Sequence, residues 1–501
     1  MIAGRTATRS AGSTRMIPHK VPDVRHVGEP RLTAGLDRTR RLDYSAHRAL
    51  HPEPPRYSVE TLVSMAEAVD LRGRGGAAFP FARKLNAVAT SAAKKKAQVA
   101  VVVNATEGEP ASAKDKMLLL RVPHLVIDGA LLAADALDAV EVVIGVAEGH
   151  AAHNSILAAV EERGLSDYIR VFALPERFVT GEGGSVINGI SGREAIPRGR
   201  GGRTSDSGLR GLPTLLSNAE TFAQLAMLAE LGPTGYAEAG SPDEPGTVLL
   251  TVGGSAMRPA VVETPTGVPL ATVLDLCGAM VGDGVLVGGY HGRWLTPVNA
   301  ASVPVSRKSL ADVGGVLGAG IVLPLGGETC PLGETVRVTS YLAAQSAGQC
   351  GPCRLGLPDV AYALKDLLDG GGTVEAVRWA ATGVRGRGAC SHPDGTSRFV
   401  LSALDTFTED ISEHLLNGTC GRPVYGLLPV PDDDNSNEHL VIDWSRCQGH
   451  GLCAKILPQM VKLDAHGYPV ISDIPISGAH SQRARRAIEM CPALALRIEE
   501  R

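Results

Sequence analysis

The chain has 501 residues, 44% of them hydrophobic and 20% charged, with a formal net charge of −4 at pH 7. That length exceeds one hydrophobic core and points to on the order of two to four domains, and the near-neutral balance excludes a general attraction to nucleic acid or to an anionic membrane surface. No charge-free apolar run reaches the roughly 18 residues of a membrane-spanning helix, so no transmembrane segment is expected.

In chain order, the first residues, MIAGRTATRSAGSTRMIPHKVP, hold arginines and hydroxyls but no acid. A transit peptide has that composition; so does a flexible tail, or a chain whose true start is Met16, and the plainer readings are preferred. The apolar core of a secretory signal is missing, so a cytoplasmic, reducing setting is expected. There, close pairs among the nine cysteines are metal ligands more often than disulfides. Residues 58–70, SVETLVSMAEAVD, have helical apolar spacing and run into the glycine-rich LRGRGGAAFP, 71–80. AQVAVVVNATEGEP, 97–110, reads as a buried strand ending in an acidic loop. LVIDGALLAADALDA, VEVVIGVA and HNSILAAVEERG then read as helix, strand and helix, an alternation that predicts a parallel α/β sheet.

Residues 240–325 change character: short β-rich pieces stand between glycine turns, with one short helix at LATVLDLCGAM. Residues 331–417 read as helical. GRPVYGLLPVPDDDNSNEH, 421–439, holds three prolines and three aspartates without periodicity and reads as a linker. The last stretch, from about 440, is a small domain with its own cysteines, and no period of roughly 20–50 residues repeats along the chain.

Several turns carry ligand chemistry. GRGG, 73–76, is followed by Lys84; glycines let backbone N–H groups approach a phosphate, and a following helix N-terminus favours an anion. The spacing is neither that of a Walker loop nor that of a dinucleotide GxGxxG, and a surface turn can have the same composition. NATEGEP adds Asn104, Glu107 and Glu109 after a strand. VTGEGGS, 179–185, adds Gly181 and Glu182, and PTLLSNAETFA opens a helix with Asn218 and Thr221. Cys350 and Cys353 flank a Gly-Pro turn. A redox dithiol there needs a strand just upstream, where TSYLAAQSAG looks helical, and a four-thiolate zinc site needs a second close pair, which is not near. Cys277 reads as a core residue.

Five stretches in order, LRGRGGAAFP, NATEGEPASAKDK, GEGGSVINGISG, LPTLLSNAETFA and GQCGPCRLG, resemble the NADH-binding flavoprotein component (the F subunit) of respiratory complex I. They are also similar to subunits of NAD-linked hydrogenases and formate dehydrogenases. The resemblance implies an α/β FMN-binding domain at 43–238, a β-grasp-like, SLBB-type module at 239–328 and a helical iron–sulfur domain at 329–420. A flexible tail at 1–42 precedes them. It further implies an FMN site lined by Gly73, Arg74, Gly75, Gly76, Lys84, Asn104, Glu107, Glu109, Gly181, Glu182, Asn218 and Thr221, with Phe79 as a stacking ring. It makes Cys350, Cys353 and Cys390 ligands of a [4Fe–4S] or [3Fe–4S] cluster.

The chain departs from that pattern at several positions. The family's first cluster cysteine is Ala347 here, so one thiolate is lost, and Cys330 or Cys420 could replace it only if the fold brings them near. The family's Tyr-x-Cys-Gly-Glu-Glu is Phe178-Val-Thr-Gly181-Glu182-Gly183, and its acidic-loop Asp is Thr106. The stretch whose ring stacks on adenine is replaced by RGRGGRTSDSG, 198–208. There Arg198, Arg200 and Arg203 suit a 2′-phosphate, so NADPH stands beside NADH as a nicotinamide expectation; a solvated loop is the plainer reading.

After the linker at 421–439, residues 440–501 resemble single-cluster bacterial ferredoxins of α+β fold. Cys447, Cys453 and Cys491-Pro492 match three cysteines of that pattern, with His450 in the middle position. A [3Fe–4S] cluster, or a [4Fe–4S] cluster with His450 on the fourth iron, is expected. The resemblances together imply an NAD(P)H-dependent oxidoreductase with no catalytic side chain of its own. Electrons would pass from FMN through the clusters to a protein acceptor such as a P450 or a haem-containing membrane reductase, with other redox subunits as partners. The expected place is the cytoplasm or the face of a membrane partner. The alternatives are a relay fed by a protein donor and a structural subunit that has lost redox function.

Overall fold

A computed structural model describes residues 22–149, 151–199, 201–431, 438–457, 460–471, 476, 484 and 487–500. The chain divides into two compact units, Met1–Pro429 and Val430–Arg501.

The first unit opens with strand β1 (Val24–His26) and helices α1 (Tyr44–Leu50), α2 (Val59–Ala68) and α3 (Phe81–Lys95). Strands β2 (Val99–Ala105), β3 (Ala139–Ala147), β4 (Ile169–Leu174) and β5 (Thr214–Asn218) follow, with α4 (Lys114–Arg121), α5 (Pro123–Ala136), α6 (Ala151–Glu162), α7 (Gly183–Ile190) and α8 (Ala219–Ala237) between and after them. The four strands form one parallel sheet in the order β4-β3-β2-β5. β2 and β3 are buried on both faces, which is why they read as unbroken apolar runs. The chain steps outward from β2 to β3 and β4, then returns to the other side of β2 with β5. The strand order therefore reverses between β2 and β5, and in open α/β sheets that is where ligands bind.

Helices α5 and α8 pack on one another at very close range: a Cβ on Gly129 of α5 would lie 1.8 Å from the Phe222 carbonyl oxygen of α8. No single helix among the described residues is long and apolar enough to cross a membrane. α4 and α5 together have the length and composition of a span, but they meet at 97° and are largely buried in this core.

A second sheet of six strands is built from β8 (Thr247–Val252), β9 (Ala260–Pro265), β10 (Gly284–Val287), β11 (Arg293–Leu295) and β12 (Ile321–Leu325), after the short hairpin β6 (Gly240–Ser241) and β7 (Glu244–Pro245). Its order is β1-β9-β8-β12-β10-β11. The sixth strand is β1, paired parallel with β9. Residues 22–42, expected within a flexible tail, are thus packed: Leu32 and Leu42 are buried, and the Glu263 carboxylate accepts the backbone N–H groups of Arg31, Leu32 and Thr33. The sequence of this segment scatters its apolar residues among charges without a strand period, and the β9 strand that pairs with it is far away along the chain. The expected helix at 270–280 is α9 (Leu270–Leu276), with α10 (Pro297–Ser302) and α11 (Arg307–Asp312) in addition. Cys277 is a buried core residue here, as its spacing predicts.

Five helices complete the unit: α12 (Pro331–Ala344), α13 (Leu357–Leu368), α14 (Val374–Gly383), α15 (His392–Thr406) and α16 (Thr408–Asn417). The start of the expected linker is fixed on them. Pro423 accepts the N–H of Cys330 at 2.8 Å, and the fully buried Glu334 carboxylate accepts the N–H groups of Gly426, Leu427 and Leu428. Residues 432–437 of that linker lie outside the described residues. In the second unit, β13 (Glu438–Ile442) pairs antiparallel with β16 (Leu496–Glu500), and β14 (Val461–Leu463) with β15 (Pro469–Ile471), around the short helix α17 (Leu452–Ile456).

Candidate functional site

Asn104 and Asn218 stand side by side in register at the C-terminal ends of β2 and β5, at the point where the strand order reverses. The glycine loop is tied down over them. The Arg74 N–H donates to Thr221 Oγ1 at 2.9 Å, the Thr221 hydroxyl donates to Asn218 Oδ1, and a Cβ on Gly75 would lie 3.5 Å from that of Asn218. Asn104 Nδ2 donates to the Gly181 carbonyl at 2.9 Å, which draws the second glycine turn to the same crevice. Gly75 and Gly76 are exposed, and Gly76 has φ +102°, a conformation that side chains rarely adopt.

Lys84, on α3, donates to the Leu216 carbonyl of edge strand β5 at 2.8 Å. Burial lowers its ammonium to about 8, and no carboxylate offsets that loss. A desolvated cation held only by a carbonyl suits an anionic ligand. Buried Arg74 donates to Thr247 O, while its Nε and Nη1 have no partner. With Gly73, Gly76, Glu220 and Arg307 it lines a cavity of about 280 Å³. Exposed glycines, orphaned guanidinium donors and an uncompensated lysine fit a phosphate-bearing group such as FMN.

The three expected carboxylates all have partners within the chain. Glu107 accepts from Ser112 Oγ, Asp115 N and Lys116 N, so both its oxygens serve the N-terminus of α4. Glu182 caps α7 through Oε2, which accepts the Ser185 N–H at 2.9 Å. Glu109 accepts the Tyr290 N–H and packs on Gly289. Burial first, and the Glu107 charge second, push its carboxyl up to about 8.

Sequence reasoning passed over Lys114, Asp115 and Glu220. All three are buried beneath the loop: Lys114 Nζ donates to the Arg74 carbonyl at 2.9 Å and to Glu220 at 2.5 Å, and Glu220 also accepts the Leu249 N–H. The available signal was charge inside NATEGEPASAKDK and SNAE beside otherwise apolar helices.

On the expected nicotinamide side, Phe79 is 49% exposed, an open ring on the glycine loop. Phe178 packs edge-on to His291 at 4.8 Å and lies near Tyr341 and His392. A Cβ on Gly183 would lie 3.1 Å from Leu216 Cδ2. Arg198 is occupied in holding its own loop, donating to Asn188 Oδ1, Ser207 O and Gly208 O. Arg203 is exposed, and Arg200 lies outside the described residues.

The thiols of Cys350, Cys353 and Cys390 come together, and backbone N–H groups aim at them. For Cys350, burial alone would raise the thiol, but the N–H groups of Ala389 and Cys353 outweigh it and hold it below its usual value. Burial, then Cys350, pushes Cys353 up to about 12, and burial raises Cys390, which also feels the Glu182 charge. Such N–H donors suit thiolates bound to iron. Cys330 caps the N-terminus of α12, whereas Ala347 follows its C-terminus. The helix has 14 residues, about 21 Å of rise, so Cys330 cannot replace the missing ligand. A neutral imidazole pair connects this region to the crevice: His392 Nε2 donates to Leu342 O, leaving Nδ1 to accept from His291 Nε2 at 3.1 Å. In the second unit, Cys447, His450, Cys453 and Cys491 line one cavity. Burial raises the Cys453 thiol, with Cys447 and Cys491 as charged neighbours.

The sequence matches three family models: the Nuo51 FMN-binding domain over residues 66–227, the NADH-ubiquinone oxidoreductase-F iron-sulfur binding region over 334–414, and a 4Fe-4S single cluster domain over 440–498. The chain is a relative of the F subunits of NADH-quinone oxidoreductases that carries a ferredoxin domain. It is 28% identical over 387 residues to the F subunit of the NADH-quinone oxidoreductase of Streptomyces coelicolor, covering 72% of this chain and 84% of that protein. To the corresponding NADH-quinone oxidoreductase protein of Mycobacterium bovis it is 27% identical over 429 residues, covering 79% and 94%. The fold is shared with an NAD+-reducing [NiFe]-hydrogenase in the H2-reduced state, at a TM-score of 0.70 and 24% identity over 79% of this chain and 68% of that one.

Proposed function

We propose that this relative of the NADH-quinone oxidoreductases oxidises NADH at an FMN held between β2 and β5 and passes the electrons on singly through iron–sulfur clusters. The carrying observation is the crevice at the strand reversal, with Asn104 and Asn218 at its floor and the pinned glycine loop as its wall. FMN, when bound, supplies the change from two-electron to one-electron transfer. The residues do the rest: Gly73, Gly75 and Gly76 admit a phosphate to the backbone, Lys84 meets its charge, and Asn104, Asn218 and Thr221 hold the two turns in register. Gly181, held by Asn104, closes the crevice beside Glu182, and Arg74 lines the cavity under the glycine loop; Glu109 is the buried acid behind it, on Tyr290. Phe79 is the ring available for stacking. NADH is preferred to NADPH because the relatives are NADH-quinone oxidoreductases and because Arg198, one of the three arginines that suit a 2′-phosphate, is spent on its own loop.

Cys350, Cys353 and Cys390 hold a cluster with three protein thiolates. Cys447, Cys453 and Cys491 hold another, with His450 on its fourth iron. The finer domain plan is part of the same reading: a β-grasp-like sheet module between the flavin and helical iron–sulfur domains, and an α+β ferredoxin as the exit. The acceptor is another redox protein, a P450 or a haem-containing membrane reductase among the classes that fit a ferredoxin exit. The deciding experiment is anaerobic purification with flavin and iron counted. A yellow-brown protein bleached by NADH supports the proposal; one bleached only by a protein donor, or a colourless one, refutes it.

A further inference from the structure

We propose that Cys330, Asp410, His414 and Cys420 form a mononuclear zinc site, separate from both cluster-binding sets, which fastens the segment after α16 to the start of α12. One ligand atom from each of the four lies within 4.8 Å of all the others, and three of the residues are buried. Cys330 Sγ is 3.3 Å from His414 Nε2 and 3.9 Å from Asp410 Oδ2, and the latter two are 3.9 Å apart. Tetrahedral zinc, with bonds of about 2.3 Å to sulfur and about 2.0–2.2 Å to nitrogen or oxygen, places neighbouring ligand atoms roughly 3.3–3.8 Å apart. The side chains are therefore already close to that geometry.

Their surroundings orient them as ligands. His414 Nδ1 donates to the Leu368 carbonyl at 2.7 Å, so the lone pair is on Nε2, facing the sulfur. Arg422 donates to Asp410 Oδ1 at 2.8 Å and leaves Oδ2 turned to the cluster. The Gly333 N–H points at Cys330 Sγ at 3.2 Å. Two thiolates, an imidazole and a carboxylate are a donor set for zinc rather than for magnesium or calcium. All four positions come from protein, which marks a structural rather than a catalytic site. The matched iron–sulfur region spans 334–414, so both cysteines fall outside it. The consequence is mechanical: the segment 420–428, whose last three N–H groups dock on Glu334, begins at a metal ligand.

The test uses the full-length protein, purified anaerobically, with zinc, iron and flavin measured together. The expected result is about one zinc per chain that survives desalting with a chelator. Cys420→Ser and His414→Gln should lose that zinc while keeping flavin and cluster iron, Cys350→Ser should lose iron and keep zinc, and Arg422→Met should weaken zinc binding by about ten- to a hundredfold. Should the ligand variants fail to fold, Co2+ exchanged into the wild-type protein should give the visible bands of a tetrahedral thiolate site. Wild-type protein that holds no zinc and takes up neither Zn2+ nor Co2+ would overturn the proposal. So would a Cys330–Cys420 disulfide found by peptide mapping, or iron in place of zinc that disappears with Cys420→Ser.

Discussion

Lys84 carries the sharpest prediction at the level of a single side chain. Its folded value of about 8 lies below the unfolded 10.5, so between those pH values the unfolded chain binds more protons and the flavin-free protein gains stability as pH rises. Below pH 8 the cost of the buried charge is fully present. A bound phosphate restores the charge, so FMN affinity should be greatest below pH 8 and fall as pH climbs toward 10.5. Lys84→Met should show no such slope in a fluorescence titration and should bind FMN at least about tenfold more weakly, the worth of roughly one hydrogen bond to a charged group. In thermal melts at pH 7 its flavin-free form should be the more stable of the two. Ala347 makes a second prediction. Ala347→Cys restores the fourth thiolate and should turn a centre that is paramagnetic when oxidised, as three-iron clusters are, into one paramagnetic when reduced, with about one more iron per chain. A wild-type centre already paramagnetic when reduced, with the same iron content as the variant, would show that the three thiols already hold a four-iron cluster.

Among the elements, the glycine loop depends on α8. Thr221→Val keeps the shape but strands the buried Arg74 N–H, which should cost about 1–3 kcal/mol in a denaturant titration and loosen FMN. Thr221→Ser should restore both. The α5–α8 contact has no such tolerance: Gly129→Ala sets a methyl 1.8 Å from the Phe222 carbonyl and should cost at least the ~1–3 kcal/mol of overpacking. The expected sign is flavin and iron lost together in insoluble protein, rather than flavin alone. Helix ends also show what residue type alone does not tell. An acid in a loop looks the same whether it faces a ligand or the N–H groups of the next helix; Glu107 does the second, because α4 begins seven residues later.

Across the whole molecule, the two units should separate cleanly. A chain ending at residue 431 should keep flavin and the iron at Cys350, Cys353 and Cys390, stay reducible by NADH, and lose the iron of the second unit along with transfer to a protein acceptor. A chain ending at 417 removes every N–H that residues 426–428 give to the buried Glu334 carboxylate. Glu334 keeps the Arg337 guanidinium and the Thr329 hydroxyl, so the chain should be less stable by about 1.5–3 kcal/mol, the worth of hydrogen bonds to a charged group, as read from its melting temperature against the longer form.

Short-range chemistry was readable from the residues alone. Glycine turns after strands, the Asn218 helix start and the spacings of Cys350 with Cys353 and of Cys447 with Cys453 act over a few residues, and backbone conformation and ligand bite are set over that distance. Burial and pairing are long-range, so the tertiary structure decided them. It put Lys114 and Glu220 under the loop, turned Arg198 inward, and paired the polar N-terminal segment with β9. It also placed Cys330 and Ala347 at opposite ends of one helix and brought Cys330 instead to His414 and Cys420.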